Sequence, residues 1–182
     1  MTGPAESRPQ IVLDTWDDLL GQRAGSAWFS PCKRYRYLLT RAWDHVPQAM
    51  TWIMLNPSAA DAFMDDPTIR RCVSFARREH FGSIRVVNLF ALRATDPREL
   101  LACDDPVGPD NDRFLRDHGT ATLAVAAWGA GGALAGRGRD VGRMLAGAGA
   151  KLLCLGVTAD GHPRHPLYVR ADAPLLPWEP PP

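Results

Sequence analysis

The stretch Trp52-Ile53-Met54-Leu55-Asn56-Pro57-Ser58 decides how this chain is read: an apolar run ends abruptly on an amide, a proline and a hydroxyl. Two later stretches repeat the pattern. Val86-Val87 runs into Asn88, and Leu152 to Val157 runs into a loop ending His165-Pro166-Leu167. A continuous apolar strand is buried on both faces, as in a parallel sheet, and residues released at the C-terminal ends of such strands line the ligand crevice of open α/β folds. The polar residues at the three strand ends are therefore candidates for one shared site.

Working outward, Arg34 to Trp43 alternates, with Tyr35, Tyr37, Leu39 and Trp43 on one side, and predicts a strand. A turn at Asp44 to Gln48 leads to a second strand, Thr51 to Leu55, the first of the parallel set. Asp66-Pro67 marks a helix start, and Ile69, Cys72, Val73 and Ala76 give an apolar stripe running to about His80. Ile84 to Phe90 is the next buried strand. Asp96-Pro97-Arg98-Glu99 opens a short helix with a capping-box pattern, and another helix follows Pro109. Thr122 to Trp128 is the third buried strand. The glycine-rich loop Gly129 to Gly138 then leads to a helix over Arg139 to Ala148 and a fourth strand, Lys151 to Val157. Strands alternating with helices imply an α/β three-layer sandwich around a central, mainly parallel four-stranded sheet, with an N-terminal β-hairpin strand added. Residues 1–25 read as a loosely held arm, 26–170 as one α/β domain, and 171–182 as a Pro-rich tail.

A chain of 182 residues, 46% hydrophobic and 23% charged, suffices for one core. Its net charge of +1 provides no strong overall field, so any nucleic-acid affinity must come from a local basic patch. Lysine occurs only at Lys33 and Lys151, and arginine supplies the other basic side chains. Arginine's planar fork suits phosphate and base edges, although a genome rich in G and C gives the same bias. Cys32, Cys72, Cys103 and Cys154 form no CxxC pair and read as reduced core thiols. No signal-peptide pattern opens the chain, and no apolar run approaches the roughly 20 residues that span a bilayer. A cytoplasmic monomer with no membrane partner and no cofactor is expected.

Asn56 lies where strand gives way to loop, with Pro57 fixing the backbone beside it. Its amide can orient a water but cannot act as a strong base; alternatively Asn-Pro-Ser is simply a turn. Asn88 sits inside Val-Val-Asn-Leu-Phe, where an unsatisfied amide costs roughly 1 to 3 kcal/mol. It either meets the edge of a nucleobase or pins a neighbouring loop. His165 lies in a stiff loop where an imidazole can stabilise charge on a leaving group, or it is an ordinary loop histidine. Arg70 and Arg71, with Ser74, Arg77 and Arg78, form a basic helix face that follows a phosphate backbone or is merely solvated; Arg93 and Arg164 join them as nucleic-acid candidates. Asp61, Asp65 and Asp66 cluster after Asn56, but Asp66 already has a capping role and no metal is expected.

In order, Met54-Leu55-Asn56-Pro57, Val87-Asn88-Leu89, Ala127-Trp128-Gly129 and His165-Pro166-Leu167 resemble the signature series of the uracil-DNA glycosylase superfamily. The resemblance implies that superfamily's fold. It also implies that Asn56 positions the attacking water, that Asn88 reads the base and that His165 steadies the departing base anion. Pro57, Ser58, Phe90 and Trp128 are then substrate-binding candidates, with Trp128 or Phe90 stacking on the base. Leu167-Tyr168 stands where the superfamily commonly has a phosphate-touching serine. More closely, Leu55 to Asp61, Asp65 to Arg71, Val86 to Pro97 and Gly161 to Tyr168 resemble a bacterial family catalogued as domain of unknown function 1643. That likeness covers about residues 26 to 170.

These readings point to an N-glycosidase acting on nucleic acid or a nucleotide. The rivals are a module of the same fold that binds a base without cleaving it, and a metal-dependent phosphoesterase using the three aspartates.

Overall fold

The computed structural model describes residues 11–18, 23–46, 48–58, 63–96, 98–121 and 123–181. Four parallel strands form the centre of its sheet: β4 (Ala49–Met54), β5 (Ser83–Asn88), β6 (Ala124–Ala126) and β7 (Leu152–Cys154). Their sequences explain their burial. Along β4, Met50, Trp52 and Met54 face one core while Ile53 faces the other, so each strand supplies apolar atoms to both faces.

Helix fills each crossover between successive parallel strands. From β4 to β5 it is α1 (Pro67–Arg78), between β5 and β6 run α2 (Arg98–Ala102) and α3 (Asn111–Gly119), and α4 (Arg137–Gly147) joins β6 to β7. The Asp66 carboxylate accepts the Ile69 N–H at 2.8 Å, with Pro67 in the first turn, as the sequence predicts. The helix stops at Arg78, short of His80, because His80 takes a left-handed φ of 63°. Ile69, Cys72 and Phe75 of α1 pack over Trp52, Ile84 and Val86 on one face. Phe114 and Leu115 of α3, with Val141 and Leu145 of α4, cover Ile53, Val87 and Ala126 on the other.

The sheet is larger than expected. Three strands precede the parallel set, β1 (Val12–Asp17), β2 (Ala24–Phe29) and β3 (Arg36–Ala42), and β8 (Leu176–Pro177) follows it. The order is β1-β2-β3-β5-β4-β6-β7-β8, eight strands with antiparallel pairing at both ends. The fold is thus a mixed α/β fold with a partly parallel sheet, not a four-stranded one with a single added strand.

Two connections explain the difference. After β3 the chain does not fold back as a hairpin onto β4: Trp43 and Asp44 donate their N–H groups to Gly82 O, and β3 lies antiparallel to β5. The Val46 side chain passes so close to Gly82 that a Cβ there would sit 2.8 Å away. Parts of the segments read as arm and tail are held in the sheet. Residues 12–17 pair along the whole of β2, and Trp178, only 6% exposed, anchors the C-terminal segment by donating its N–H to Leu152 O.

The third and fourth parallel strands are shorter than the apolar runs that predict them. β6 ends at Ala126, though Ala127 N still donates to Ile53 O, and Gly129 turns with φ 69° into 3-10 turns within Ala130–Gly136 that are interrupted at Leu134 and Ala135, in place of an open loop. The turn leads directly into α4, which starts at Arg137.

Candidate functional site

The C-terminal ends of β4, β5 and β6 open into a cavity of about 650 Å³ at the point where the chain order reverses around β4. This is where open α/β sheets bind ligands, and the volume suits a small molecule. Asn56, Ser58, Asn88, Trp128, Arg164 and His165 all line it, so residues from four separate stretches of sequence share one cleft.

Met54 and Asn88 are register partners at the ends of β4 and β5. Asn88 follows Ile84 and Val86 on the strand's α1 face, and its side chain is 1% exposed. Neither its Nδ2 nor its Oδ1 meets a hydrogen-bond partner among the described residues. The neighbouring loop is pinned by other groups: Asn111 Nδ2 donates to the main-chain oxygens of Asn88 and Leu89, both at 3.0 Å. Asn88 thus borders the cavity with the donor and the acceptor of its buried amide unused among the described residues.

Asn56 is oriented in a different way. Its Nδ2 donates to Pro57 O at 3.1 Å and to Ala94 O at 2.8 Å. Both amide hydrogens are used, so its Oδ1 is left to accept from a molecule in the cleft. Pro57 itself is buried behind the wall; its oxygen also accepts the Ala94 N–H, which ties the two loops together.

His165 caps a short 3-10 turn, Pro166–Tyr168, by accepting the Leu167 N–H on Nδ1 at 3.3 Å. In the neutral ring the proton therefore sits on Nε2. Burial pushes the imidazole below its ordinary value, against a smaller upward pull from the Asp66 carboxylate. The result is a neutral N–H donor at physiological pH. Gly129 lies beside it with a left-handed φ of 69°, and a Cβ there would stand at ordinary contact distance, 3.4 Å, from His165 Cβ.

Two further charged residues line the cavity. Asp66, read as a helix cap and metal candidate, also lines the cleft, where one oxygen caps α1 and the other accepts the Ser58 hydroxyl. Arg36 lies in the cavity wall at 2% exposure. Strict alternation along Arg34 to Trp43 does not hold, because a register shift opposite Trp28 and Phe29 breaks the pairing of β3. Tyr37 and Leu38 then enter one core and Leu39 the other, while Arg36 reaches the cleft. A charge inside an apolar strand is the signal for Arg36, and a serine eight residues before the capping aspartate is a weak one for Asp66.

The other candidates are spread out. Phe90 is a core residue and does not line the cleft. Trp128 lines it, but much of its ring is enclosed: it packs edge-to-face on Trp178 at 5.1 Å, and a Cβ on Gly132 would come within 2.1 Å of it. Arg71 donates to Pro166 O and to Val169 O, with its guanidinium 4.9 Å above the Phe75 ring. Arg70 donates to Asp65 O, and Arg164 to Val157 O. Arg93 lies in a separate groove. Of the aspartate trio, Asp65 is held by Arg41 Nε at 2.7 Å and Asp61 falls outside the described residues. Among the described residues no three acidic, histidine or cysteine side chains gather as a metal site, and no helix is long and apolar enough to cross a membrane.

The sequence from Arg36 to Leu167 matches the model of a family described as Protein of unknown function (DUF1643). The chain belongs to that family. No curated protein and no solved structure matches it. The DUF1643 match begins at the cavity's Arg36 and ends two residues after His165, so it takes in every lining residue except Tyr168.

Proposed function

We propose that this DUF1643 protein is a nucleobase-recognising N-glycosidase of the uracil-DNA glycosylase type, hydrolysing a base–sugar bond in nucleic acid or a nucleotide. One observation carries the reading: the buried Asn88 amide, unpartnered among the described residues, at the floor of a cleft. Leaving such a group without a partner costs about 1–3 kcal/mol, and the edge of a base supplies the complementary donor and acceptor. The tertiary placement of Asn56 and His165 on the same cleft supports the assignment.

Hydrolysis breaks the C–N bond with its electron pair leaving on the base, while a water oxygen bonds to the anomeric carbon and the proton that water loses passes through solvent to the departed base anion, giving the sugar hydroxyl and the neutral base. Asn56 Oδ1 accepts a hydrogen bond from that water and aims it. His165 Nε2–H donates to the base as negative charge builds there. The Asp66 carboxylate, steadied by Ser58, stabilises the cationic sugar of a dissociative transition state electrostatically. No strong base is needed.

Oligonucleotides and free nucleosides carrying uracil, hypoxanthine and other altered bases, assayed for free base by mass spectrometry, test the proposal. Release by the wild type should fall about 10²–10³-fold in Asn56→Ala and His165→Ala. Asn88→Leu should abolish it without lowering the melting temperature, because it removes an unsatisfied amide. Unchanged release in Asn56→Ala and His165→Ala overturns the mechanism. Tight base binding without release makes the protein a reader of bases instead.

A further inference from the structure

Beside the cleft runs a second groove, lined by Lys33, Arg34, Arg93, Ala94, Thr95, Ser58 and Glu99. Ser58, Ala94 and Thr95 also line the main cavity, so the two depressions share a wall. Three cations face one carboxylate there. The cations come from the β2–β3 turn and from the chain after β5, so the antiparallel extension of the sheet builds this groove.

The basic residues are held to one another and to the site. Arg93 N donates to Arg34 O at 3.0 Å, Arg93 Nη1 donates to Lys33 O at 3.3 Å, and its guanidinium lies 5.2 Å over the Phe29 ring. One residue further, Ala94 O accepts from Asn56 Nδ2. A charge at position 93 is therefore fixed relative to the residue proposed to hold water. The remaining partners are weak. Lys33 pairs with Asp14 at the surface, worth at most about 1 kcal/mol. Arg34 Nη2 reaches the Cys103 sulfur at 3.1 Å, a poor acceptor. Glu99 is engaged by the Asp96 N–H.

We propose that this groove binds a phosphate ester of the nucleotide whose base enters the cleft, with Lys33, Arg34 and Arg93 as its ligands. The inference rests on the nucleobase reading above, and it adds an anion subsite outside the parallel core. The ester belongs either to a strand or to a free nucleotide.

A fluorescein-labelled single-stranded oligonucleotide with an abasic site tests the groove without a base to read. Anisotropy titrations across a salt series should show weaker binding by the double variant Lys33→Gln/Arg34→Gln, with the slope of log Kd against log salt reduced by about 1.4, at about 0.7 per lost phosphate contact. Both side chains are exposed, so the fold is expected to survive. Arg93→Gln should lower the slope further. Competition by a nucleoside monophosphate in place of the oligonucleotide assigns the free nucleotide as source, and failure to compete assigns the strand. Unchanged affinity and slope in all the variants overturn the subsite. If the wild type releases no base while the variants still weaken binding, the groove stands and the glycosidase reading falls; release with an unchanged slope has the reverse meaning.

Discussion

His165 shows how one side chain is tuned by position. Its Nδ1 is spent on the Leu167 N–H, and burial disfavours the imidazolium more than Asp66 favours it. The consequence for stability has a definite sign. Above pH 6.5, the ordinary value, both folded and unfolded states carry a neutral ring and the group contributes no pH dependence. Between that value and the lower folded value the unfolded chain takes up a proton that the native protein does not, so stability falls as pH falls. Urea midpoints measured from pH 7.5 to 5 should therefore decline less steeply for His165→Gln than for wild type. His118, also lowered by burial, contributes equally to both proteins and cancels in the comparison. Identical slopes would show that the ring is not desolvated. At this scale Asn56, Asn88 and His165 were legible, because amides and an imidazole released from apolar strands stand out against their neighbours. Arg36 and Asp66 were not, since a bulge aims the first and a helix cap disguises the second.

Among the elements, α1 does more than cover the sheet. Its Arg71 reaches across to the main chain at Pro166 and Val169, and Arg78 donates to Ala171 O, so the helix holds the loop that carries His165. The basic face that the sequence offered to a phosphate backbone is to this extent a set of struts. Arg71→Ala should loosen the His165 loop, lower stability by about 1–3 kcal/mol, and let the His165 pKa, followed by NMR titration, rise toward 6.5. A His165 titration identical to wild type would mean that the loop keeps its place without the strut. Helix starts at Asp66 and after Asp96 were readable because caps are local chemistry. Strand partners were not: whether β3 pairs with β4 or β5 depends on where the chain crosses Gly82, and no local propensity records that.

At the scale of the molecule, the sheet joins the C-terminal segment to the site. β8 lies along β7, and Trp178 places its ring against Trp128, whose backbone leads into the cavity wall at Gly129. Trp178→Ala should cost about 3–5 kcal/mol and lower the melting temperature by some 6 °C or more, as read by calorimetry. A loss below 1 kcal/mol would make the C-terminal segment the loose tail that its prolines suggest. The amino-acid sequence by itself determined the alternation of buried strands and helices, the helix caps, and the polar residues that end the strands, because these depend on hydrophobic period and short-range hydrogen bonding. Only the tertiary structure decided that those residues share one cleft, that Arg36 and Asp66 join them, and that the terminal segments extend the sheet. Such juxtapositions depend on strand order, register and a single bulge, which are set by contacts between residues far apart in the chain.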